Sequence, residues 1–358
     1  MSCNFQPASN RLRPERGRGT SINPANRFEP LHFEQHDEFE AEQGKTSTTF
    51  LRDDSETILS SNNSPDIPFS WSLNPYRGCE HGCMYCYARP THEYLGFSAG
   101  LDFESNIMVK QNAPELLRKK LSSRSWQPEP VILSGITDPY QPAEKRFELT
   151  RQCLEVFAEF RNPVSIITKN HLVTRDIDIL REMAAMNLAR VSISVTSLDP
   201  SVTSTLEPRT SRPARRLDAI HKLSEAGIPT GVMTAPIIPG LNDHEIPDIL
   251  KAASEAGAVR AGYVMLRLPW GVKELFADWL GHHHPYKKDK IMNRVTDIRG
   301  GKLNDCTFGS RMKGEGEFAE QVKQMFRIAT RRYGLDNTLP PLSTDHFRKV
   351  LNGQQELF

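Results

Sequence analysis

The chain has 358 residues, of which 25% are charged and 38% are hydrophobic. This composition is typical of a globular protein with one large or two ordinary domains, and it excludes collagen-like and wholly disordered chains. Lys and Arg number 45 against 44 Asp and Glu, so no global basic excess points to nucleic-acid binding, although a local basic patch is compatible with this balance.

Residues 1–65 are predicted to form an irregular, partly ordered N-terminal extension. Their first twenty residues hold four arginines and no apolar segment, which argues against a secretory signal. Residues 31–60 carry eight acids against two cations, and the sparse apolar residues follow neither a helical nor a strand period. The Arg-rich residues 10–20 favour a solvated tail over a phosphate-binding arm.

From residue 66 onward, short apolar runs alternate with amphipathic segments. Strands are predicted over 70–73, 130–134, 164–168, 190–195, 229–235 and 261–266, and helices over 113–121, 145–160, 175–186, 213–226 and 243–256. Such alternation indicates an α/β fold with a parallel sheet, and it fits an open doubly wound sheet as well as an incomplete barrel. Residues 66–270 are therefore predicted to form the core, and 271–358 a C-terminal segment of loops and helices with a helix over 317–333.

The longest uncharged stretch, residues 226–242, holds three prolines and three glycines. A membrane-spanning helix needs about 20 predominantly apolar residues. We therefore expect a cytoplasmic protein that has no membrane partner.

Three of the six cysteines lie within eight residues, just after the first strand of the predicted core. Cys79, Cys83 and Cys86 have the spacing C-x3-C-x2-C. In a reducing compartment, such clustering indicates metal or redox chemistry rather than disulfides. Three thiolates can hold three corners of a [4Fe–4S] cluster. With no fourth cysteine nearby, one iron would stay open to an external ligand, as the open position of a catalytic zinc does.

Two alternatives to a cluster remain for these cysteines. The three thiols could bind zinc together with His81 or His92, or they could be buried thiols without a metal. Structural zinc sites usually take their ligands as two pairs, and no second pair accompanies the triplet. The spacing therefore favours the iron–sulfur cluster.

Polar residues follow the predicted strands at the ends where α/β proteins bind ligands. Thr137 and Asp138 follow the second strand and Lys169 the third, while Ser194 lies in the fourth and Ile238 follows the fifth. Asp138 can accept hydrogen bonds from an ammonium, and Lys169 can donate to a carboxylate. The apolar stretch around Ile238 is suited to a purine face.

Each of these residues also has a structural alternative. Asp138 could simply form a turn, Lys169 could be a solvated charge, and Ile238 could be ordinary core. Arg209 lies two residues after Glu207, which indicates a local ion pair.

The cysteine motif, with Tyr85 before the last cysteine and a six-fold β/α series around it, resembles the radical S-adenosylmethionine (SAM) superfamily. The resemblance implies a partial (β/α)6 TIM-type barrel whose mouth is closed by the C-terminal segment. It implies a [4Fe–4S] cluster, held by the three cysteines, whose open iron binds SAM. Reductive cleavage of SAM would then give a 5′-deoxyadenosyl radical that abstracts hydrogen from a substrate, and a reductant such as flavodoxin or ferredoxin would be a partner.

The stretches 74–78 (Asn-Pro-Tyr-Arg-Gly) and 137–142 (Thr-Asp-Pro-Tyr-Gln-Pro) resemble the spore photoproduct lyase-like branch, whose members are described as DNA repair photolyases. By that resemblance, Thr137 and Asp138 hold the SAM amino group, Lys169 holds its carboxylate, and Ser194 makes a second contact. Tyr85 and Ile238 border the adenine by the same resemblance.

One departure separates the sequence from spore photoproduct lyase. That enzyme returns hydrogen from a cysteine just after its second strand, whereas residues 135–137 contain no thiol. Tyr140 or Cys306 would have to replace it. The substrate is therefore left unidentified, with DNA or RNA as a candidate class, and the lyase or transferase type is open.

Other residues bear on the substrate. Tyr140, Gln141, Arg267 and Trp270 are predicted to lie near the mouth, where Arg267 and Trp270 could grip a planar or anionic group. The alternative to an enzyme is a non-catalytic zinc or iron–sulfur scaffold or sensor. A third function, compatible with the first, is nucleic-acid binding through the Arg-rich tail and the basic loop 311–313.

Overall fold

The computed structural model describes residues 17–29 and 46–350. Most of the Arg-rich stretch and the acidic residues 31–45 lie outside the described residues, so the predictions for them stay predictions. The strands are β1 (Thr49–Arg52), β2 (Leu59–Ser61), β3 (Trp71–Leu73), β4 (Tyr76–Arg77), β5 (Asn106–Val109), β6 (Val131–Leu133), β7 (Val164–Thr168), β8 (Ala189–Ser194), β9 (Thr230–Ile237) and β10 (Arg260–Met265). The helices are α1 (Asp102–Ser105), α2 (Ala113–Ser122), α3 (Glu144–Phe147), α4 (Leu149–Phe160), α5 (Ile177–Ala185), α6 (Pro200–Leu206), α7 (Pro213–Glu225), α8 (Ile246–Glu255), α9 (Val272–His283), α10 (Lys288–Asp297), α11 (Ser310–Lys313) and α12 (Gly316–Arg332).

The main sheet of the described residues has the strand order β10-β9-β8-β7-β6-β3-β2. Strands β3 and β6 to β10 pair in parallel, and β2 is an antiparallel edge. Because the order follows the chain without a reversal, the sheet is not doubly wound, since that arrangement reverses at a switch point. The predicted α/β fold with parallel strands is confirmed, and each of the six strands begins and ends within two residues of its predicted bounds.

The core lies between the main sheet and its helices. Strand β7 alternates buried and half-buried residues, and α4 turns Leu154, Phe157 and Phe160 into the same cluster. Burial of each such side chain is worth about 1.5–3 kcal/mol relative to exposure. This packing fixes the carboxyl ends of the strands, where the polar residues predicted to form the site lie.

The helix predicted over 145–160 is divided between α3 and α4. Glu148 adopts a left-handed conformation, with a φ of 51°, and ends α3. The Glu144 carboxylate then accepts a hydrogen bond of 3.0 Å from the amide of Thr150, one of the first amides of α4. Such amides have no partner within their own helix, so the carboxylate stabilises the new start.

A small second sheet has the order β1-β5-β4. Strand β1 runs parallel to β5, and β4 pairs antiparallel with β5. Both β1 and β2 precede the boundary predicted at residues 65 and 66, yet they pair with strands of the core. The part of the extension from residue 46 onward is thus ordered against the core.

Residues 17–29, which we call the strap, cross the surface of the core next to the cysteines. The Gly19 amide donates to Glu104 at 2.8 Å, and the Ile22 carbonyl accepts from the Leu101 amide at 3.1 Å. A Cβ atom on Gly19 would lie 1.8 Å from the Gly82 carbonyl oxygen, so the two backbones are in direct contact. Gly19 is therefore required for this close approach.

The C-terminal segment is more helical than predicted. The predicted helix over 317–333 corresponds to α12, while α9 and α10 were not predicted. Leu275, Phe276 and Trp279 of α9 are buried in an apolar cluster that also contains Cys83. No helix among the described residues is both long enough and apolar enough to cross a membrane.

Candidate functional site

The three clustered cysteines lie on one loop, residues 78–87, which we call the cysteine loop. Cys79 and Cys83 are buried and Cys86 is half-buried. The Cys79 amide donates to the Phe103 carbonyl at 2.8 Å, and the Cys86 amide donates to the Cys83 carbonyl at 3.3 Å. Cys86 packs against the apolar clusters of both other cysteines, so the thiols share one partly buried environment.

Gln141 holds the backbone on both sides of Cys79. Its side-chain NH2 group donates to the Gly78 carbonyl at 3.1 Å, and its oxygen accepts from the Glu80 amide at 2.9 Å. The side chain is fully buried. The sequence predicts Gln141 near the mouth, and in the structure its amide is bound to the cysteine loop.

A buried ion pair holds the far side of the loop. Arg89 and Glu104 are fully buried and lie 2.5 Å apart, and Arg89 Nε donates to the Cys83 carbonyl at 2.9 Å. A buried guanidinium is costly unless its donors are paired. The cost is offset here by two further carbonyl acceptors, of Ala99 and Gly100. The sequence does not predict this pair, since nothing in the residue types shows that Arg89 and Glu104 are buried together.

Asp138 supplies a fixed negative charge beside Cys79. Its oxygens accept from the Thr168 hydroxyl at 2.6 Å and from the Lys169 amide at 2.8 Å, and they lie 3.4 Å from His81 Nδ1. Burial opposes ionisation, but the histidine and the hydrogen bonds outweigh it and lower the pKa of Asp138 to about 2. Asp138 is thus a carboxylate at neutral pH.

Tyr85 belongs to a buried network below Cys83. Its hydroxyl donates to Glu207, which is also ion-paired with Arg216. Burial raises the pKa of Tyr85 well above its ordinary value, so the hydroxyl stays protonated and acts as a donor. The predicted pair of Arg209 with Glu207 is wrong, because Arg209 pairs with Glu80 at 3.1 Å.

Lys169 is a cation that lacks an ion pair within the described residues. Its ammonium lies 5.7 Å from the centre of the Tyr85 ring. Burial lowers the pKa of Lys169, but electrostatic interaction with Cys83 and Glu207 outweighs that effect and raises it. The residue therefore keeps its proton and can bind an anion.

The remaining predicted site residues have different roles. Ile238 packs in the apolar cluster of Cys83 and Tyr85. Ser194 is buried, and its carbonyl accepts from Arg216 at 3.1 Å. Thr137 uses its hydroxyl to donate to the Tyr76 carbonyl at 3.1 Å, so it ties two segments together.

The two predicted replacements for a hydrogen-returning thiol differ in their exposure to solvent. Tyr140 is fully buried in the main core, and its hydroxyl donates to Asp176 at 3.0 Å. It cannot meet a substrate, and its predicted place near the mouth is wrong. Cys306 is exposed.

The basic loop predicted to meet phosphate uses its cations within the protein. Arg311 pairs with Asp66 at 2.5 Å, and the Lys313 ammonium donates to the Tyr263 carbonyl at 2.9 Å. Burial also lowers the pKa of Lys313 to about 8. These contacts do not leave the loop available as the predicted phosphate site.

The donor set fits a cluster better than a single metal ion. Within residues 17–29 and 46–350, no three His, Cys, Asp or Glu side chains converge on one ion position. His81 contacts Asp138 and Asn170, and His92 stacks on Phe97; neither histidine converges with the cysteines on one ion position in the described residues. In a [4Fe–4S] cluster, separate irons bind the thiolates, so three thiols spaced around one loop suit it.

Similarity to known proteins places this site in a sequence family. A family model described as the Radical SAM superfamily matches residues 73–253. An uncharacterized protein of Mycobacterium tuberculosis is 38% identical over 225 residues, which cover 62% of this chain and 66% of that protein. The chain thus spans slightly less than two thirds of this relative's length.

Spore photoproduct lyase appears among both the sequence relatives and the solved structures. The protein of that name from Clostridium acetobutylicum is 27% identical over 193 residues, which cover 52% of each chain. A solved spore photoproduct lyase complexed with dinucleoside spore photoproduct aligns with a TM-score of 0.57 at 16% identity, over 79% of each chain. At that identity, the structural likeness concerns the fold alone.

Proposed function

Because the chain belongs to the radical SAM superfamily, a family of enzymes, we propose that Cys79, Cys83 and Cys86 hold a [4Fe–4S] cluster and that SAM binds beside it. When bound, the cluster supplies the electron that cleaves SAM into methionine and a 5′-deoxyadenosyl radical, which takes hydrogen from the substrate. The observation that carries this proposal is that the three-cysteine loop lies near an anionic Asp138 and near Lys169, a cation without an ion pair in the described part of the chain.

The charged residues suit the two ends of the SAM amino acid. The Asp138 charge, fixed at the end of β6, attracts an ammonium to the side of Cys79. Lys169 keeps its proton and can donate to a carboxylate. A charge-assisted hydrogen bond in a partly buried site is about twice as strong as a neutral one. We assign the SAM amino group to Asp138 and its carboxylate to Lys169.

The apolar side of the site suits the adenine. Tyr85 and Ile238 lie in one buried cluster with Cys83, so a purine can pack there out of water. Ser194 provides a further polar contact at the end of β8. Thr137 acts indirectly in this proposal, because its hydroxyl holds the Tyr76 backbone just before the cysteine loop.

The finer features of fold and context are proposed on the same basis. A strand order without reversal supports a sheet that curves into a partial (β/α)6 barrel, with the cysteine loop at its mouth. We propose a cytoplasmic enzyme that receives electrons from a flavodoxin or ferredoxin. We propose nucleic acid as the substrate class, but not spore photoproduct repair, since Tyr140 is buried and residues 135–137 carry no thiol.

Single substitutions of the three cysteines test the proposal. The protein is purified without oxygen, reconstituted with iron and sulfide, reduced with dithionite and given SAM. We expect the wild type to form 5′-deoxyadenosine, measured by mass spectrometry, and Cys79→Ala, Cys83→Ala and Cys86→Ala to lose both iron and product. Cys306→Ala is the matched control and keeps both, because this exposed cysteine lies outside the loop.

A Cys83→Ala protein with full SAM cleavage would overturn the proposal. A non-catalytic scaffold or sensor instead predicts metal without SAM binding. Calorimetric titration with SAM separates the two functions, since the proposed site binds SAM with an affinity that falls when Lys169 is replaced by Met.

A further inference from the structure

A row of exposed rings lies beside the candidate site, in the order Tyr94, Phe28, Arg27, Trp270; we call it the aromatic row. The rings of Tyr94 and Phe28 are stacked, with centres 4.8 Å apart and planes at 25°. The Arg27 guanidinium lies between Phe28 and Trp270, 4.9 Å from one ring centre and 4.2 Å from the other. The four side chains thus form one continuous stack.

The row is unusually exposed and is held in place by its surroundings. Tyr94 is 70% exposed, Trp270 54% and Phe28 53%. Arg27 is fixed by Glu93 at 2.6 Å, and the Phe28 amide donates to Asn26 at 2.8 Å. Ordered aromatic faces that remain in water are typical of a binding surface, because a soluble protein rarely exposes several large apolar side chains together.

The row continues into the candidate site. Trp270 follows Arg267 by three residues in the loop after β10. The Arg267 guanidinium lies 6.0 Å from the centre of the exposed Tyr87 ring. Tyr87 follows Cys86 directly, and its hydroxyl donates to the Gly135 carbonyl. The loop that carries Trp270 therefore also carries an arginine that lies beside the ring following Cys86.

Arg267 provides the charge that such a surface needs. In the described part of the chain it has no ion pair, and its buried Nε has no hydrogen-bond partner. Its guanidinium donates to the Met312 sulfur at 3.9 Å, which is a weak acceptor. Glu29 adds an acid near Gly96, at the Tyr94 end, so the positive end of the surface is the one next to the cysteine loop.

We propose that the aromatic row and Arg267 bind unpaired nucleotides of single-stranded nucleic acid, which would lead the strand into the candidate site. Bases stack on the exposed faces of Trp270 and Tyr94, and a backbone phosphate binds Arg267. Base-on-aromatic stacking combined with cations is how proteins hold single strands with little sequence preference. A paired duplex keeps its base faces covered and cannot use the row. The proposal rests on the proposed function for its substrate, but its test does not need SAM cleavage.

The first experiment measures binding of a fluorescein-labelled oligothymidylate to the reconstituted protein by anisotropy. Loss of one stacking ring typically weakens single-strand binding roughly 5- to 150-fold, and we expect this for Trp270→Ala and Tyr94→Ala. Trp270→Phe keeps a ring and restores most of the affinity. Tyr286→Ala is the matched control, because Tyr286 is fully exposed but stands apart from the row, and it leaves binding unchanged.

The second measurement addresses Arg267. The logarithm of the binding affinity falls linearly with the logarithm of the salt concentration. If Arg267 neutralises one phosphate, Arg267→Gln makes this slope shallower by about 0.7. Trp270 is the one exposed tryptophan of the four, so a bound base quenches its emission, and Trp270→Phe removes that signal.

Three results would overturn the proposal: equal binding of duplex and single strand, equal loss in the Trp270→Ala and Tyr286→Ala proteins, or a self-association that Trp270→Ala abolishes in sedimentation. Measuring SAM cleavage and single-strand binding in the same wild-type protein distinguishes the two proposals. If SAM cleavage fails but single strands still bind through the row, only the proposed function is lost. If cleavage proceeds but the row does not bind, only this inference is lost.

Discussion

Gln141 bonds to both backbone groups that flank Cys79, and this makes it the residue on which the geometry of the loop depends most directly. Replacement by Leu leaves the Gly78 carbonyl and the Glu80 amide buried without partners. Each such group costs about 1–3 kcal/mol. We expect Gln141→Leu to keep the fold but to hold less iron and to lose it faster in air than the wild type.

Iron and sulfide content, followed by visible absorption during exposure to air, measures this effect. Gln152→Leu is the matched control, because Gln152 is exposed and donates only to the Phe147 carbonyl. An unchanged rate of bleaching in Gln141→Leu would mean that the loop holds its shape without this side chain.

At the same scale, the types of residue in the site could be predicted from the sequence, but their partners could not. The three cysteines were identifiable from their spacing alone. The sequence predicts Gln141 near the mouth but does not reveal its partners, which lie 61 and 63 residues away. Glu207 pairs with Arg216 rather than with the nearer Arg209, because α7 turns the Arg216 side chain inward.

The strap can be tested by a single substitution. It contacts the cysteine loop only because Gly19 lacks a side chain. A side chain at Gly19 would collide with the Gly82 carbonyl at 1.8 Å and with the Met84 sulfur at 2.8 Å. Overpacking of this kind typically costs about 1–3 kcal/mol. We expect Gly19→Ala to lift the strap, which would raise hydrogen–deuterium exchange of residues 17–29 and leave exchange in β7 unchanged.

Gly271→Ala is the control for this prediction. A Cβ atom there would meet Pro24 of the same strap at 3.6 Å, an ordinary contact. Equal exchange in the two variants would show that the strap does not depend on the Gly19 contact.

The local apolar pattern of the sequence predicts some of the strands and helices but not others. The six parallel strands were predictable because each is a short apolar run between helices. The pattern does not predict strands β1, β2, β4 and β5, since they have only two to four residues. Strand β1 also pairs with a distant part of the chain, Thr49 with Asn106. The break between α3 and α4 depends on the Glu144 carboxylate, which caps α4. Hydrophobic periodicity does not reveal such a cap.

For the whole molecule, His92 links stability to pH. It is buried between Phe97 and Phe103, and burial lowers its pKa from 6.5 to about 4. Between these pH values, His92 binds a proton in the unfolded chain but not in the folded chain. The free energy of unfolding therefore decreases as the pH falls from about 6.5 towards 4. Between pH 7 and pH 5 we expect His92 to account for a loss of about 2 kcal/mol in the free energy of unfolding.

Urea unfolding of the cluster-free protein at the two pH values measures this loss, and His92→Gln should remove most of it. The exposed His346→Gln is the control and should keep the pH dependence of the wild type. If the His92→Gln and wild-type proteins lose equal stability on acidification, other groups carry the effect.

The order of synthesis along the chain determines when the strap can dock. Residues 17–29 are synthesised before every surface that receives them, first Gly82, then Leu101 and finally Gly271 and Trp270. The strap can therefore make its full set of contacts only after Trp270 has been synthesised. Closure of the strap beside the cysteine loop is thus a late step in the formation of the folded chain.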